Sequence, residues 1–408
     1  MHETLKNYKY LLFLVFYIFS IPLFQAYSCD SKAVISYFFL IAVFIGLIVN
    51  SKKLTFSFVE LLFVGFVVVL NIYYMYINFS GLIYIKYTYL IFLSLFLSKF
   101  FSTISPTRLV KTIGFIYSTI IVFLGLEYLY VLFFGNDFFT EYFSCYAPGV
   151  IGYRHMSDYS LFRSFFSTPG LNSIFLGSQS ASQISLISLI WFFLFSVFVS
   201  NNFKNKLLIL FSLLFLILSP TITAWFLFMV TLIFAGIFYL RKRIISAVIF
   251  YFAIILTIIL SIFFIMMIYS RYDGFGAIFD SLILPQVFNF SFLNYKELFL
   301  GVNIEKASEL FKVIEVAVIH HFAIFGIIGM FVFFAFVFFN IFESMKFRHK
   351  LDSNEKLLYF ASVLIVFVFI LSNIHYQVMF QVGLMEIFSI HLAYIISILN
   401  NQNKLDFK

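Results

Sequence analysis

Three arginines and one pair of adjacent histidines are the residues of this sequence best suited to chemistry. Arg154 and Arg163 stand near His155 in one stretch, and Arg271 opens another. Arginine keeps its charge at any relevant pH, and its planar fork matches phosphate oxygens, so three of them near lipid headgroups would make a pyrophosphate-binding site. The structural alternative is pairing with Asp158, Asp273 or lipid phosphates. His320 and His321 precede Gly326 and Gly329. Histidine titrates near neutrality and is the usual general base, worth roughly 10²–10⁴-fold in rate. The alternative for the pair is a headgroup contact, and for the glycines close helix approach. A third polar group, His375, Tyr376 and Gln377 with Glu386 and His391, lies near the C-terminus; His375 and Tyr376 are supporting candidates.

Other chemistries lack their residues. No GxxxxGK[ST] or GxGxxG stretch is present to cradle a nucleotide phosphate. Adjacent histidines on a helix point about 100° apart and do not readily share one ion. Neither HExxH nor an Asp-rich DxD motif accompanies them, so neither a metal nor any other cofactor is expected. Ionisable groups inside apolar segments are expensive and by default functional. Lys86, Glu127 and Glu60, however, fall near the ends of theirs and are read as reaching for the interface.

The elements that position these residues follow from composition. Of 408 residues, 63% are hydrophobic and only 11% charged. Soluble domains are about a quarter charged, so one water-soluble core is excluded. Apolar stretches bounded by charge or turn residues run over 8–27, 33–49, 54–78, 82–104, 109–134, 180–200, 205–219, 222–240, 244–269, 316–342, 357–374 and 382–399. Most reach the ~17–25 residues of a spanning helix. The seventh is short, and Ser219–Pro220–Thr221 leaves only a tight turn before the eighth. The expected fold is an all-α integral membrane protein of about twelve spans in one polytopic domain, 1–408. The first segment is too long for a cleaved signal and lacks a small-x-small site, so it is read as a retained span.

The net charge of +8 would suggest nucleic acid in a soluble protein. Here 18 of the 26 basic residues fall in alternate loops, among them Lys52, Lys99, Arg108, Lys204, Arg241, Lys346 and Arg348. By the positive-inside rule those loops and both termini are cytoplasmic. The charge is thus an insertion signal, with no nucleic-acid partner implied. Cys29 and Cys145 both fall in outer loops, as one disulfide or as two free thiols.

Two outer loops, 135–179 and 270–315, are much longer than the rest. Both are rich in Phe, Tyr and Leu, so they are expected to be structured. In the second, Ile304, Ala307, Phe311, Ile314 and Val318 form one apolar stripe, with Glu305, Lys306, Glu309 and Lys312 opposite. This predicts an amphipathic helix near 303–315, either lying on the membrane surface or walling an outer site.

With this layout the sequence resembles the O-antigen polymerase (Wzy) and O-antigen ligase family. The long loops after the fifth and ninth spans match its arrangement. Arg163-Ser-Phe-Phe-Ser-Thr-Pro169-Gly170 is similar to its Arg–(Ser/Gly)–Phe–x–x–Pro segment. Gly301-Val-Asn, then Glu315, then His320-His321-x4-Gly326-x2-Gly329, is similar to its glycine and G-x-x-G pattern, which makes Glu315 a further supporting residue. Two departures stand out: Ser219-Pro220-Thr221 replaces the family's Ser-Arg turn, and a second histidine replaces the ligase's His-Asn.

The resemblance implies a GT-C-like glycosyltransferase of the bacterial inner membrane with a periplasmic active site. It would join oligosaccharide repeat units carried on undecaprenyl pyrophosphate, without a metal. Arg163, Arg154 and Arg271 would hold the pyrophosphate, and His321, or else His320, would take the hydroxyl proton. Lipid-linked donor and acceptor, membrane lipids and a chain-length regulator are the implied partners. The competing readings are an O-antigen ligase acting on lipid A core and a lipid-linked oligosaccharide flippase. Flippases normally have short loops and a charged central cavity, which does not suit this layout.

Overall fold

The computed structural model describes residues 56–78, 81–134, 178–218, 223–231, 284–311, 317–373 and 384–406; among them there are helices and connections and no strand. The long helices are α1 (Phe58–Asn78), α2 (Gly81–Phe101), α3 (Pro106–Phe134), α4 (Ser178–Phe198) and α5 (Phe203–Leu218). A shorter α6 covers 223–231. Three small helices follow: α7 (Leu284–Asn289), α8 (Tyr295–Leu300) and α9 (Ile304–Leu310). The chain closes with α10 (Ala317–Met345), α11 (Ser353–Ser372) and α12 (Leu384–Asp406). Six stretches among the described residues are long and apolar enough to cross a membrane: Phe58–Tyr76, Pro106–Leu126, Ala181–Phe198, Ile319–Met345, Ser353–Ser372 and Leu384–Asn401. The chain is therefore an α-helical membrane protein. The expected spans 8–27, 33–49 and 244–269, and the loop up to residue 177, lie outside the described residues.

Local chemistry sets the helix starts. Ser57 and Glu60 bond reciprocally across the first turn of α1, and Asp352 and Glu355 do the same for α11. Pro106 opens α3, where a missing N–H costs nothing. Inside the bundle, serines satisfy themselves within their own helices. Ser94 donates to the Leu90 carbonyl at 2.6 Å, and Ser185 to Ala181 at 2.7 Å. In lipid such internal satisfaction is obligatory.

The bundle has one basic end. Lys99, in the last turn of α2, pairs with Glu60 at 2.7 Å and reaches Asn400 of α12 at 2.9 Å. Asn354, at the start of α11, donates to Thr107 of α3 at 3.2 Å. Arg108, Lys346, Arg348 and Lys350 occupy the neighbouring helix ends and turns. Among the described residues, the basic ends of α2, α3, α10 and α11 thus lie at one end of the bundle.

α12 packs most extensively on α2, and α11 and α4 complete the core around it. His391 braces this region. Its Nε2 meets Tyr117 Oη at 2.7 Å and its Nδ1 meets Ser362 Oγ at 3.0 Å, tying α3 and α11 to α12. Glu386 is fully buried and accepts from Tyr89 Oη at 2.9 Å. Sequence reasoning grouped both residues with an outer polar cluster. His391 instead has both ring nitrogens engaged by its neighbours in the core.

Candidate functional site

The site is built where α10 breaks. Gly326 has φ 61° and ψ −177°, a conformation outside the helix that favours glycine. Gly301, between α8 and α9, has φ 85° and sits against the break. A Cβ on Gly301 would run into the Ile324 carbonyl, and one on Gly326 into the Phe299 carbonyl. The α8–α9 turn thus docks backbone to backbone on the broken helix. A Cβ at Gly329 would meet Tyr74 Oη at 2.5 Å.

Breaking a helix frees carbonyls that lipid cannot satisfy, so each needs a partner within the protein. Val302 N donates to the Ala323 carbonyl at 2.9 Å. Tyr74 Oη donates to the Phe325 carbonyl, and Tyr84 Oη to Gly329 at 3.2 Å. Tyr74 comes from α1 and Tyr84 from α2, so the break is held from both sides.

The α8–α9 segment owes its shape to asparagines. Asn294 caps α8 in a reciprocal bond with Glu297, and Asn303 caps α9 through Lys306 N at 2.9 Å. Lys306 Nζ then pairs with Glu297 Oε1 at 2.6 Å, clamping the two helices together. The helix expected near 303–315 ends at Leu310. Phe311 leaves helical geometry, and the Asn289 side chain donates to the Leu310 carbonyl. Ala307 and Phe311, two residues of the expected stripe, are buried against protein.

The Lys306 hydrogen bond holds the Glu297 carboxyl below its ordinary range. A carboxyl with a depressed folded value stabilises above the unfolded value, about 4.3, and loses that contribution as pH falls through the folded one. The protection of amides across residues 295–310, taken relative to the pH-dependent intrinsic exchange rate, is therefore expected to fall selectively on acidification below about pH 4.3. Uniform exchange behaviour through that range would remove the clamp from the account.

His320 and His321 open the half of α10 that precedes the break. His321 is 1% exposed, and its Nδ1 lies 2.5 Å from Tyr87 Oη of α2. The Tyr87 ring is 5.6 Å from the His321 ring and 4.8 Å from the Phe333 ring. Those two residues are twelve apart, about 18 Å along an unbroken helix. One tyrosine reaches both because Gly326 breaks the helix between them. His320 is half-buried, and its Nδ1 has no hydrogen-bond partner among the described residues.

Lys86 is the residue before Tyr87 on α2, the helix whose Tyr87 hydroxyl meets His321. It is half-buried and has no ion-pair or hydrogen-bond partner among the described residues. A cation in a low-dielectric setting calls for an opposite charge beside it, which makes the place suited to an anion. Together these side chains can hold an anionic group at Lys86 beside an imidazole that can exchange a proton.

Of the residues singled out from sequence, His320 and His321 are brought together with α2. Arg154, Arg163, Arg271, Glu315, His375 and Tyr376 lie outside the described residues. Sequence reasoning did not single out Tyr74, Tyr84 or Tyr87, and set Lys86 aside as interfacial. The missed signal was Lys86 itself, an ionisable residue within an apolar segment. No protein-family model, no curated protein and no solved structure matches this chain.

Proposed function

We propose that this chain is a polymerase of lipid-linked oligosaccharides, of the O-antigen polymerase kind. It joins repeat units carried on undecaprenyl pyrophosphate at the periplasmic face of the bacterial inner membrane. The observation that carries this reading is the grouping of Lys86, His320 and His321 at the end of the bundle away from Lys99, Lys346 and Arg348. With those basic residues in the cytoplasm, the group faces outward. In this reading the chain crosses about twelve times in a GT-C-like arrangement.

The reaction asks little of the protein beyond positioning and charge. A hydroxyl of one lipid-linked unit attacks the anomeric carbon of the chain on another carrier. The bond from that carbon to the pyrophosphate oxygen breaks, and undecaprenyl pyrophosphate leaves with the bonding electrons. Lys86, with Arg163, Arg154 and Arg271 from the long loops, stabilises the departing charge. His321 takes the hydroxyl proton, its ring held by Tyr87; His320 stands beside it as the alternative base. The long-loop aromatics offer faces for sugar rings.

Lipopolysaccharide gels of a deletion strain test the assignment. A one-repeat band without a ladder supports the polymerase. Loss of even the single repeat turns the assignment to ligase or flippase.

Tyr87→Phe keeps the ring packing and removes only the hydroxyl. Losing one orienting hydrogen bond of about 1.4 kcal/mol corresponds to about tenfold in rate. Polymerisation by the purified variant should slow by about that factor at unchanged expression. An unchanged rate would detach Tyr87 from the chemistry.

A further inference from the structure

The α7–α8 segment carries a set of large apolar side chains that nothing among the described residues covers. Phe288 is 63% exposed, Phe292 69%, Tyr295 84% and Phe299 47%. Two residues of the apolar stripe visible in the sequence, by contrast, are spent on protein packing: Ala307 is 0% exposed and Phe311 1%. The surface available to the surroundings is therefore a different one from that suggested by periodicity.

The depth of this surface follows from α10. Gly326 to Met345 is twenty residues, about 30 Å of helix, the thickness of the hydrocarbon layer. Lys346, Arg348 and Lys350 follow directly and mark one boundary. Gly326 then lies at the other. α1 and α2, each 21 residues, match that length, and Tyr74 and Tyr84 tie their far ends to the break. Gly301 seats the α8–α9 turn on Gly326, so the segment is held at the hydrocarbon edge. Ile327, Ile328 and Phe331, just inside the break, are also exposed and continue the apolar surface onto the spanning helix.

We infer that Leu284–Leu300 is an interfacial element whose Phe288, Phe292 and Phe299 insert among the acyl chains of the outer leaflet. The partner is phospholipid, on three grounds: the depth, the continuity with a membrane-spanning face, and the aromatic residues that favour this layer. The α8–α9 clamp of Glu297 and Lys306 sits on the polar side of the same segment. The element anchors the docked turn that holds the broken helix, whatever reaction the histidines serve.

Spin labels on the full-length protein in phospholipid nanodiscs test this. The two native cysteines are changed to serine, and Phe288→Cys, Phe292→Cys and Glu305→Cys are labelled one at a time. Labels at 288 and 292 are expected to collide with oxygen more than with a water-soluble nickel chelate. The label at 305 should show the opposite order. Nickel access at 288 and 292 equal to that at 305 would overturn the inference. So would shielding from both reagents, which would mean that a protein surface covers the patch. Phe292→Trp offers a second readout: its fluorescence above the native background should be quenched by lipids brominated near the headgroup. Quenching by aqueous iodide alone would count against insertion.

Discussion

A strain whose only copy carries His321→Ala should make the protein at its normal level yet show no polymer ladder. Removing a general base costs roughly 10²–10⁴-fold, enough to empty a ladder built from many successive transfers. His320→Ala is expected to shorten the ladder less, because His321 is the ring that Tyr87 holds at 2.5 Å. The reverse ranking would move the base to His320. Lys86→Ala should raise the donor concentration needed for half-maximal rate by about 10–100-fold, the worth of a hydrogen bond to a charged group. Lys86→Arg should restore most of it. Arg163→Ala shares the ladder-less phenotype if the long loop brings its guanidinium to the same pyrophosphate. Normal ladders from His321→Ala and Lys86→Ala together would remove this site from the chemistry.

Gly326→Ala and Gly301→Ala are expected to be the most damaging small substitutions outside the histidine pair. Each places a Cβ at positive φ and drives it into a facing carbonyl. The conformation alone costs about 1–2 kcal/mol for a residue with a Cβ, and the collision adds to it because backbone cannot rotate away. The variants should melt at lower temperature in detergent and be cleaved by protease between residues 295 and 303. Gly65→Ala is the control. A Cβ there meets nothing within 4 Å, and a helical alanine is no worse than glycine. If all three alanine variants melt together with the unaltered protein, backbone docking is not what holds the α8–α9 turn.

The two predictions depend on different kinds of information. That the apolar runs 54–78, 109–134 and 357–374 form helices long enough to cross a membrane follows from their composition and boundaries, which are local properties of the chain. The gathering of basic residues at one end is equally local, since Lys and Arg cluster in alternate loops. Both were legible without a structure. The pairing of Tyr87 with His321 was not, because the residues are 234 positions apart and neither carries a periodic signal. Gly301 and Gly326 could be picked out as notable glycines, but not that each exists to admit the other's backbone.

The stripe residues Ala307 and Phe311 show the same division. Periodicity marked an apolar face correctly, yet could not say whether lipid or protein would cover it, because both solvents reward the same residue types. Packing answered for protein, and left Phe288 and Phe292 to the surroundings. Lys86 is the sharpest instance. By spacing it is a lysine near a helix end, free to reach for headgroups; only the tertiary structure sets its neighbour Tyr87 against His321 of the broken helix. Composition therefore determined by itself that this protein lives in a membrane, because partition into lipid acts on each segment separately. The site was decided by tertiary structure, because a helix broken at one glycine changes which distant side chains share a few ångströms.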